Sequence, residues 1–208
     1  MRSPPDFAYG FAINLSAILQ QNNWRIGEGA MSDPRDAKLQ ELIDRQEISD
    51  VIQRYCRTLD WLDAAGQASC YWPDAHIEYG FFIGPAKDFL PVVMETEASL
   101  ARRWHMLSTP LIRFNSATSA SSECYGVFGG GRLQDDGSIA GDLIGGRYLD
   151  EWEKRTENGH SEWRISARTY ILDWKSPLTN QPMFEPDPDF PLPTYKIDKG
   201  GHPKYREL

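Results

Sequence analysis

Two residues in apolar surroundings, Asp60 and His105, have side chains that together could perform acid–base chemistry. Asp60 follows Leu59 at the edge of an apolar helical stripe, and His105 lies inside the segment RRWHMLSTPLIRF. A carboxylate bonded to one imidazole nitrogen fixes the ring tautomer, so the other nitrogen can take a proton beside a carbonyl or a leaving group. We predict that the two side chains meet, with the second ring nitrogen facing an enclosed, mostly apolar cavity.

Each of these residues also has a plainer interpretation. An acid at a helix edge is usually solvated, and a single histidine in a chain of this size is usually a surface residue or a satisfied core residue. Trp61 and Trp104 are next to the two residues in sequence, so we expect them to line or cover the cavity and to contact substrate.

Metal and nucleic-acid chemistry are not indicated. The 208 residues carry a net charge of −8, and the densest basic segment, RRW at 102–104, is too small for a surface that follows phosphates. Four histidines lack the spacing of metal ligands: His76, His105, His160 and His202. We therefore expect no metal, no cofactor and no nucleic-acid partner.

The cysteines and the apolar runs bear on location. Cys56, Cys70 and Cys124 are an odd number and fit free apolar residues of a reducing cytoplasm. No apolar run approaches the length of a membrane span, so no membrane partner is expected. FAYGFAINLSAIL is apolar, but Asn14 interrupts it and polar QQNNWR follows, which disfavours a signal peptide.

The chain length suits one domain with extensions. Residues 1–34 are predicted to be an N-terminal extension of uncertain order, and residues 35–176 to be the domain. Residues 177–208 are dense in proline and predict an irregular C-terminal arm. Three aromatic residues of this arm are expected to reach the mouth of a pocket, its own or a neighbour's: Phe184, Phe190 and Tyr195.

The periodicities predict helices first and mostly strands afterwards. The apolar stripe from Ile48 to Leu62 predicts one long helix over 35–64, and a short second helix follows Gly66 and ends at Pro73. AHIEYGFFIG predicts a strand, and a third helix starts at Pro85 and runs towards Trp104. After His105 the segments alternate, with DDG and ENG as hairpin turns. This order predicts an α+β domain with helices on one face of a curved sheet.

Over about residues 36–176 these motifs resemble the SnoaL-like branch of the nuclear transport factor 2 superfamily. LIGGRYLDEWEKR and EWRIS are similar to paired strands of hexachlorocyclohexane dehydrochlorinase, YCRTLD and HMLSTP to motifs of bile-acid 7α-dehydratase, and IEY to a strand of scytalone dehydratase. The resemblance implies a cone-shaped barrel, formed by a strongly bent antiparallel sheet with about three helices on its concave face. It also implies a homo-oligomer, either a trimer or a dimer.

The resemblance places Asp60 and His105 on the catalytic pair of the family. It places Tyr55 and Tyr79 on substrate-binding tyrosines and Arg168 on a pocket position where it could hold a developing anion. Tyr55 also fits a core position, and strict strand alternation turns Arg168 away from the pocket unless a bulge intervenes. Other polar residues of the related enzymes have no counterpart here, so the shared machinery is the pair alone.

Two classes of function follow. The first is a cofactor-independent lyase, of the dehydratase or dehydrohalogenase type, or an isomerase. Such an enzyme would use His105 and Asp60 as the general base on a small hydrophobic cyclic molecule. The second is a non-catalytic small-molecule-binding or assembly module of the same fold, such as a dioxygenase small-subunit-like protein. A cavity too dry or too small for a ligand would favour the second class.

Overall fold

The computed structural model describes residues 33–178, Lys199, His202 and residues 204–207. The chain divides after Lys38: the described residues 33–38 begin a helix, and the described residues from Leu39 onward form one compact unit. The predicted N-terminal extension and the aromatic residues Phe184, Phe190 and Tyr195 lie outside the described residues, apart from Asp33 and Pro34.

The described residues contain three helices and seven strands. The helices are α1 (Pro34–Asp60), α2 (Ala64–Ala68) and α3 (Ala86–Ala98). The strands are β1 (Tyr71–Glu78), β2 (Ile83–Pro85), β3 (Arg102–Leu107), β4 (Leu111–Ser116), β5 (Ser119–Leu133), β6 (Ile139–Glu157) and β7 (His160–Leu178). Among the described helices, none is both long and apolar enough to cross a membrane.

The seven strands form one curled sheet in the order β2-β1-β7-β6-β5-β3, with β4 also paired to β5. The predicted α+β class is confirmed, and so are the paired strands β6 and β7. Two details differ from the prediction. The sheet is mixed, because β1 runs parallel to β7, and it does not close into a barrel.

The helices follow the predicted apolar stripe but end earlier. The stripe of α1 is buried at Ile48, Val51, Ile52 and Leu59, which packs this helix on the sheet. The helix ends at Asp60, and Leu62 takes a left-handed conformation with φ of 54°. The predicted second helix was too long, because the chain enters β1 at Tyr71. Likewise α3 ends at Ala98, and the residues around Trp104 are strand.

The predicted hairpin turns are present. Gly137 has φ of 84°, and Asn158 and Gly159 have φ of 53° and 79°, which are conformations that Gly and Asn adopt readily. These turns connect β5 to β6 and β6 to β7, the long strands that form the centre of the sheet.

Candidate active site

The C-terminal end of α1 and strand β3 bring Asp60 and His105 into contact. Oδ1 of Asp60 lies 2.7 Å from Nδ1 of His105, and Oδ2 accepts a hydrogen bond of 3.2 Å from the His105 backbone N–H. The side chain of Asp60 is 19% exposed and that of His105 is 9% exposed. The predicted contact is therefore present, and because the carboxylate holds both the ring and its backbone, the ring orientation is fixed. The catalytic roles of the two residues stay a prediction.

Strand alternation in β3 determines which side chains face the site. His105 pairs with Phe128 of β5 and shares its face with Leu107, while Trp104 and Met106 point to the opposite face. Trp104 is 48% exposed. The prediction that Trp104 lines the cavity is thus wrong, because adjacent strand residues point to opposite sides of the sheet.

Arg103 contacts the ends of α1 and α3 beside Asp60 and His105. Its Nε donates to the Asp60 carbonyl oxygen at 3.0 Å, and one terminal nitrogen donates to the carbonyl oxygens of Glu97 and Leu100 at 3.1 and 3.0 Å. The carbonyls of Asp60 and Glu97 belong to the last turns of α1 and α3, where the usual helical donors are missing, and Leu100 lies two residues beyond the end of α3. Arg103 therefore positions the C-terminal ends of α1 and α3 against β3.

A cavity of about 530 Å³ adjoins the free side of the His105 ring. The residues that line it come from α3, β3, β5, β6 and the end of β7: Thr96, Glu97, Leu100, His105, Phe128, Gly129, Gly130, Arg132, Ala140, Gly141, Asp142, Ile144 and Pro177. Thr96 and Arg132 are exposed, so the cavity is open to solvent there. It is therefore more open and more charged than predicted, because the ends of α3, β5 and β6 contribute Glu97, Arg132 and Asp142.

Glycines form part of the cavity wall. A Cβ atom at Gly141 would lie 1.8 Å from the carbonyl oxygen of Gly130, so β5 and β6 approach too closely there for a side chain. The wall is bare backbone at this point, which leaves room for a ligand beside Phe128 and Ile144.

Glu97 is the second acid at the imidazole. Its Oε1 lies 3.7 Å from Nε2 of His105, beyond hydrogen-bond distance, and its Oε2 is buried without a hydrogen-bond partner among the described residues. Burial raises the pKa of this carboxyl above its ordinary value, and the nearby negative charge of Asp60 raises it further. His105 therefore lies between two carboxyl groups, of which Asp60 is hydrogen-bonded to it and Glu97 is not.

The structure places the predicted tyrosines away from this cavity. The hydroxyls of Tyr55, Tyr79 and Tyr148 form a triangle with sides of 2.9, 3.0 and 2.9 Å. The ring of Phe128 lies between the two regions, with its centre 5.4 Å from that of His105 and 5.6 Å from that of Tyr148. The structure therefore does not bring Tyr55 and Tyr79 together with His105.

Arg168 completes this tyrosine cluster. Glu151 and Trp152 of β6 lie opposite Ala167 and Ile165 of β7, so Ser166 is the extra residue of a bulge in β7. This bulge turns Arg168 to the interior. The side chain has no exposed surface, and its guanidinium donates to both carboxylate oxygens of Asp150 at 2.6 and 2.8 Å. The bulge that the prediction required is present. Arg168 nonetheless does not line the cavity, because its buried guanidinium is held by Asp150 and by the Tyr71 hydroxyl.

The tyrosine rings enclose the guanidinium of Arg168. Its carbon lies 4.2 Å from the ring centre of Tyr55 and 4.0 Å from that of Tyr148, within the range of cation–π attraction. Burial raises the pKa of both hydroxyls well above the ordinary value. We call Tyr55, Tyr79, Tyr148, Asp150 and Arg168 the tyrosine–arginine cluster. All five side chains have partners within it.

Trp61 contacts the described end of the C-terminal arm instead of the cavity. Its ring is in edge contact with His202 at 4.9 Å and with Tyr205 at 5.2 Å between centres. Lys199 forms an ion pair of 3.0 Å with Asp63. The arm therefore reaches the turn that follows Asp60, although its predicted role at a pocket mouth concerned other aromatic residues.

Sequence reasoning missed Glu97, Phe128 and Arg132. Phe89 and Val93 are buried on α3, and Glu97 continues the same face at a spacing of four. This is the signal that identified Asp60, an acid on an apolar helix face. Phe128 and Arg132 gave no comparable signal, since they are ordinary members of an alternating strand.

A sequence profile of the SnoaL-like domain matches residues 40–169, which is more than half of the chain. No curated protein is similar enough to this sequence to count as a match.

Among solved structures, a type 2 hexachlorocyclohexane dehydrochlorinase has a TM-score of 0.60 at 19% identity, over 69% of this chain and 95% of that one. The type 3 dehydrochlorinase of Novosphingobium barchaimii has 0.59 at 20%, over 69% and 96%. A scytalone dehydratase-like protein of Novosphingobium aromaticivorans has 0.57 at 18%, over 69% and 93%. At these identities the similarity establishes the shared fold alone.

Proposed function

The chain belongs to the SnoaL-like domain family, and we propose that within it this protein is a cofactor-independent lyase or isomerase acting on a small hydrophobic cyclic molecule. The observation that carries the proposal is the contact of 2.7 Å between Asp60 and His105 beside a cavity of about 530 Å³. Ligand pockets commonly measure about 300–1,000 Å³, so the cavity can hold such a molecule.

His105 is the proposed general base. With its Nδ1–H donated to Asp60, the lone pair of Nε2 is directed away from the carboxylate and towards the side of the ring that borders the cavity. It would take the proton next to a carbonyl, and the electron pair of that C–H bond would form either a new double bond or an enolate. Asp60 is a positioning residue that stabilises the imidazolium formed in this step.

The cavity supplies contacts for the rest of the substrate. Leu100, Phe128 and Ile144 offer an apolar surface to a ring. Arg132 borders the same space and could bind the carbonyl oxygen as it becomes negative, the role that the sequence had suggested for Arg168.

The test is a screen of small hydroxylated and halogenated ring ketones for elimination, run beside two variants. His105→Ala should lower turnover about a hundredfold to ten-thousandfold, because the proton-abstracting group is lost. His76→Ala is the matched control, since His76 is exposed on β1, and it should retain wild-type turnover. Turnover that survives in His105→Ala would overturn the proposal.

A binding module is the second candidate, and the charged lining of the cavity favours it over an assembly role. Ring compounds that bind without turnover, and bind equally to His105→Ala, would support this alternative. Calorimetric titration of both proteins with the compounds of the screen measures the difference.

We also propose that the protein is a homo-oligomer, a dimer or a trimer. Met106, Tyr125 and Trp174 are 51%, 55% and 47% exposed and lie together around a depression on the sheet. A second copy would cover this apolar surface. Light scattering at micromolar concentration should give a multiple of 23.7 kDa, lowered by Trp174→Glu, whereas a monomeric mass would refute the proposal.

A reducing, cytoplasmic location is proposed from the thiols. Cys56, Cys70 and Cys124 are free and buried. Burial raises the pKa of both Cys56 and Cys70 to about 12, so both stay unreactive thiols. Cell fractionation would test this location.

A further inference from the structure

We propose that Glu97 is the general acid of this site and that the leaving group it serves is a hydroxyl, so that the substrate is a cyclic β-hydroxy carbonyl compound. This inference rests on the proposed function. It narrows the reaction from elimination in general to dehydration, because a hydroxyl leaves as water only when it receives a proton.

The position of Glu97 favours a protonated carboxyl. It is the penultimate residue of α3, where the negative end of the helix dipole disfavours a second negative charge. Its Oε2 is buried and has no hydrogen-bond partner among the described residues. Charged groups from each neighbouring element face it or border the same cavity: Asp60 on α1, Arg103 and His105 on β3, Arg132 on β5 and Asp142 on β6.

The positive groups near Glu97 do not cancel the effect of burial on its pKa. Burial raises its pKa, Asp60 raises it further, and the opposing effects of His105, Arg103 and Arg132 are smaller than that of burial. A buried carboxyl that keeps its proton can donate it. Glu97 thus meets both requirements of a general acid, a proton and a place beside the base.

The proposed step balances within the site. Nε2 of His105 takes the proton from the carbon next to the carbonyl, and that C–H electron pair forms the C=C bond. The C–O bond breaks, and its oxygen receives the Glu97 proton and leaves as water. The gap of 3.7 Å between Nε2 and the Glu97 carboxylate is too long for direct transfer, so the released water relays the imidazolium proton to Glu97, which restores both groups. The substrate loses one water, and no other reactant is consumed.

The geometry also predicts the stereochemistry. Nε2 and the Glu97 carboxyl are 3.7 Å apart and border one cavity, so they meet the same face of a bound ring. The proton and the hydroxyl should therefore leave from the same side. Deuterium placed on the α-carbon syn to the hydroxyl should be lost, and its retention would overturn the proposal.

Two probes separate the acid from the base: the β-hydroxy and β-chloro derivatives of one cyclic ketone. Glu97→Gln should lower elimination of water about a hundredfold to ten-thousandfold, and elimination of chloride by a much smaller factor, because chloride leaves without a proton. Glu95→Gln is the matched control, since Glu95 is exposed on the same helix, and it should lower neither rate. His105→Ala should lower both rates.

The outcomes distinguish the two proposals. Equal losses on both probes in Glu97→Gln would refute the general acid and leave the general base standing, whereas rates that survive in His105→Ala would refute the proposed function itself. Infrared spectroscopy gives a readout that needs no turnover. The band of a protonated carboxyl should persist at a pH where exposed carboxylates are ionised, and disappear in Glu97→Gln but not in Glu95→Gln. Its absence from the wild-type protein would also refute the general acid.

Discussion

The two polar regions on either side of Phe128 are built from similar groups but are satisfied to different extents. In the tyrosine–arginine cluster, Arg168 donates to both oxygens of Asp150, and three hydroxyls bond one another. In the cavity region, Asp60 is satisfied by His105, while Oε2 of Glu97 has no partner among the described residues. The polar groups of the tyrosine–arginine cluster are all paired with one another, whereas the cavity region leaves an oxygen of Glu97 available to a ligand.

This difference indicates how to recognise a site among buried polar groups. Burial alone marks both regions, because a buried polar group is costly unless it is paired. Only the unpaired group in a cavity needs an external partner. The prediction that grouped Tyr55, Tyr79 and Arg168 with His105 did not separate these cases. Variants that affect one region and leave the other unchanged test this difference.

The largest expected effect on stability comes from Arg168→Met. It leaves the Asp150 carboxylate buried without its partner, and removing one member of a buried pair typically costs about 3–5 kcal/mol of unfolding free energy. Urea denaturation measures the loss. The control is Arg147→Met, which breaks a partly exposed pair with Asp173 and should cost far less, because water screens an exposed ion pair. Equal losses would show that burial does not distinguish the two pairs.

A smaller loss is expected from Tyr148→Phe. The ring stays, but the hydroxyls of Tyr55 and Tyr79 each lose one bond, which should cost about 1–3 kcal/mol. Tyr125→Phe removes a hydroxyl that is bonded only weakly, at 3.4 Å to Arg147, and serves as the control. Turnover per folded molecule should fall far less in Tyr148→Phe than in His105→Ala. A comparable fall would place the tyrosine–arginine cluster inside the active site.

The smallest effect concerns Glu97 and depends on pH. Burial raises its pKa in the folded chain above the ordinary 4.5 of the unfolded chain. Between these two pKa values the folded state binds more protons at Glu97 than the unfolded state does. The stabilisation by the protonated Glu97 carboxyl is therefore present below pH 4.5 and is lost as pH rises through the pKa of the folded state. Glu97→Gln should therefore gain stability relative to wild type as pH rises. A difference that stays constant with pH would contradict the raised pKa.

Much of the fold was predictable because local patterns and tertiary packing agree in it. The stripe of α1 and the turns at Gly137 and Asn158–Gly159 each carry a local signal that the structure retains. A carboxylate near a core face needs a partner, but the choice of His105 as the partner of Asp60 came from the order of the motifs and their resemblance to the SnoaL-like family. Trp104 was misplaced because adjacency in sequence was taken for adjacency in space.

The remaining features depend on non-local geometry that no single segment encodes. The parallel pairing of β1 with β7 leaves no mark in either strand. The interior position of Arg168 depends on a bulge, and a bulge shifts a strand by one residue without an obligatory sequence signal. The pairing of Arg168 with Asp150 could not be predicted from alternation alone for the same reason.

The pairing of β1 with β7 has a consequence for how the chain folds. Ile77 lies opposite Arg168, so β1 can pair early with β2 but gains β7, its second neighbour, only after most of the domain has been synthesised. A contact between such distant positions forms only after a long loop has closed, and the entropy lost in closing this loop slows folding. During translation α1 and β1 leave the ribosome first, with the apolar side chains of Tyr71 and Ile77 uncovered. We therefore expect chains that stop before His160 to aggregate, and a chaperone to hold the nascent amino-terminal half.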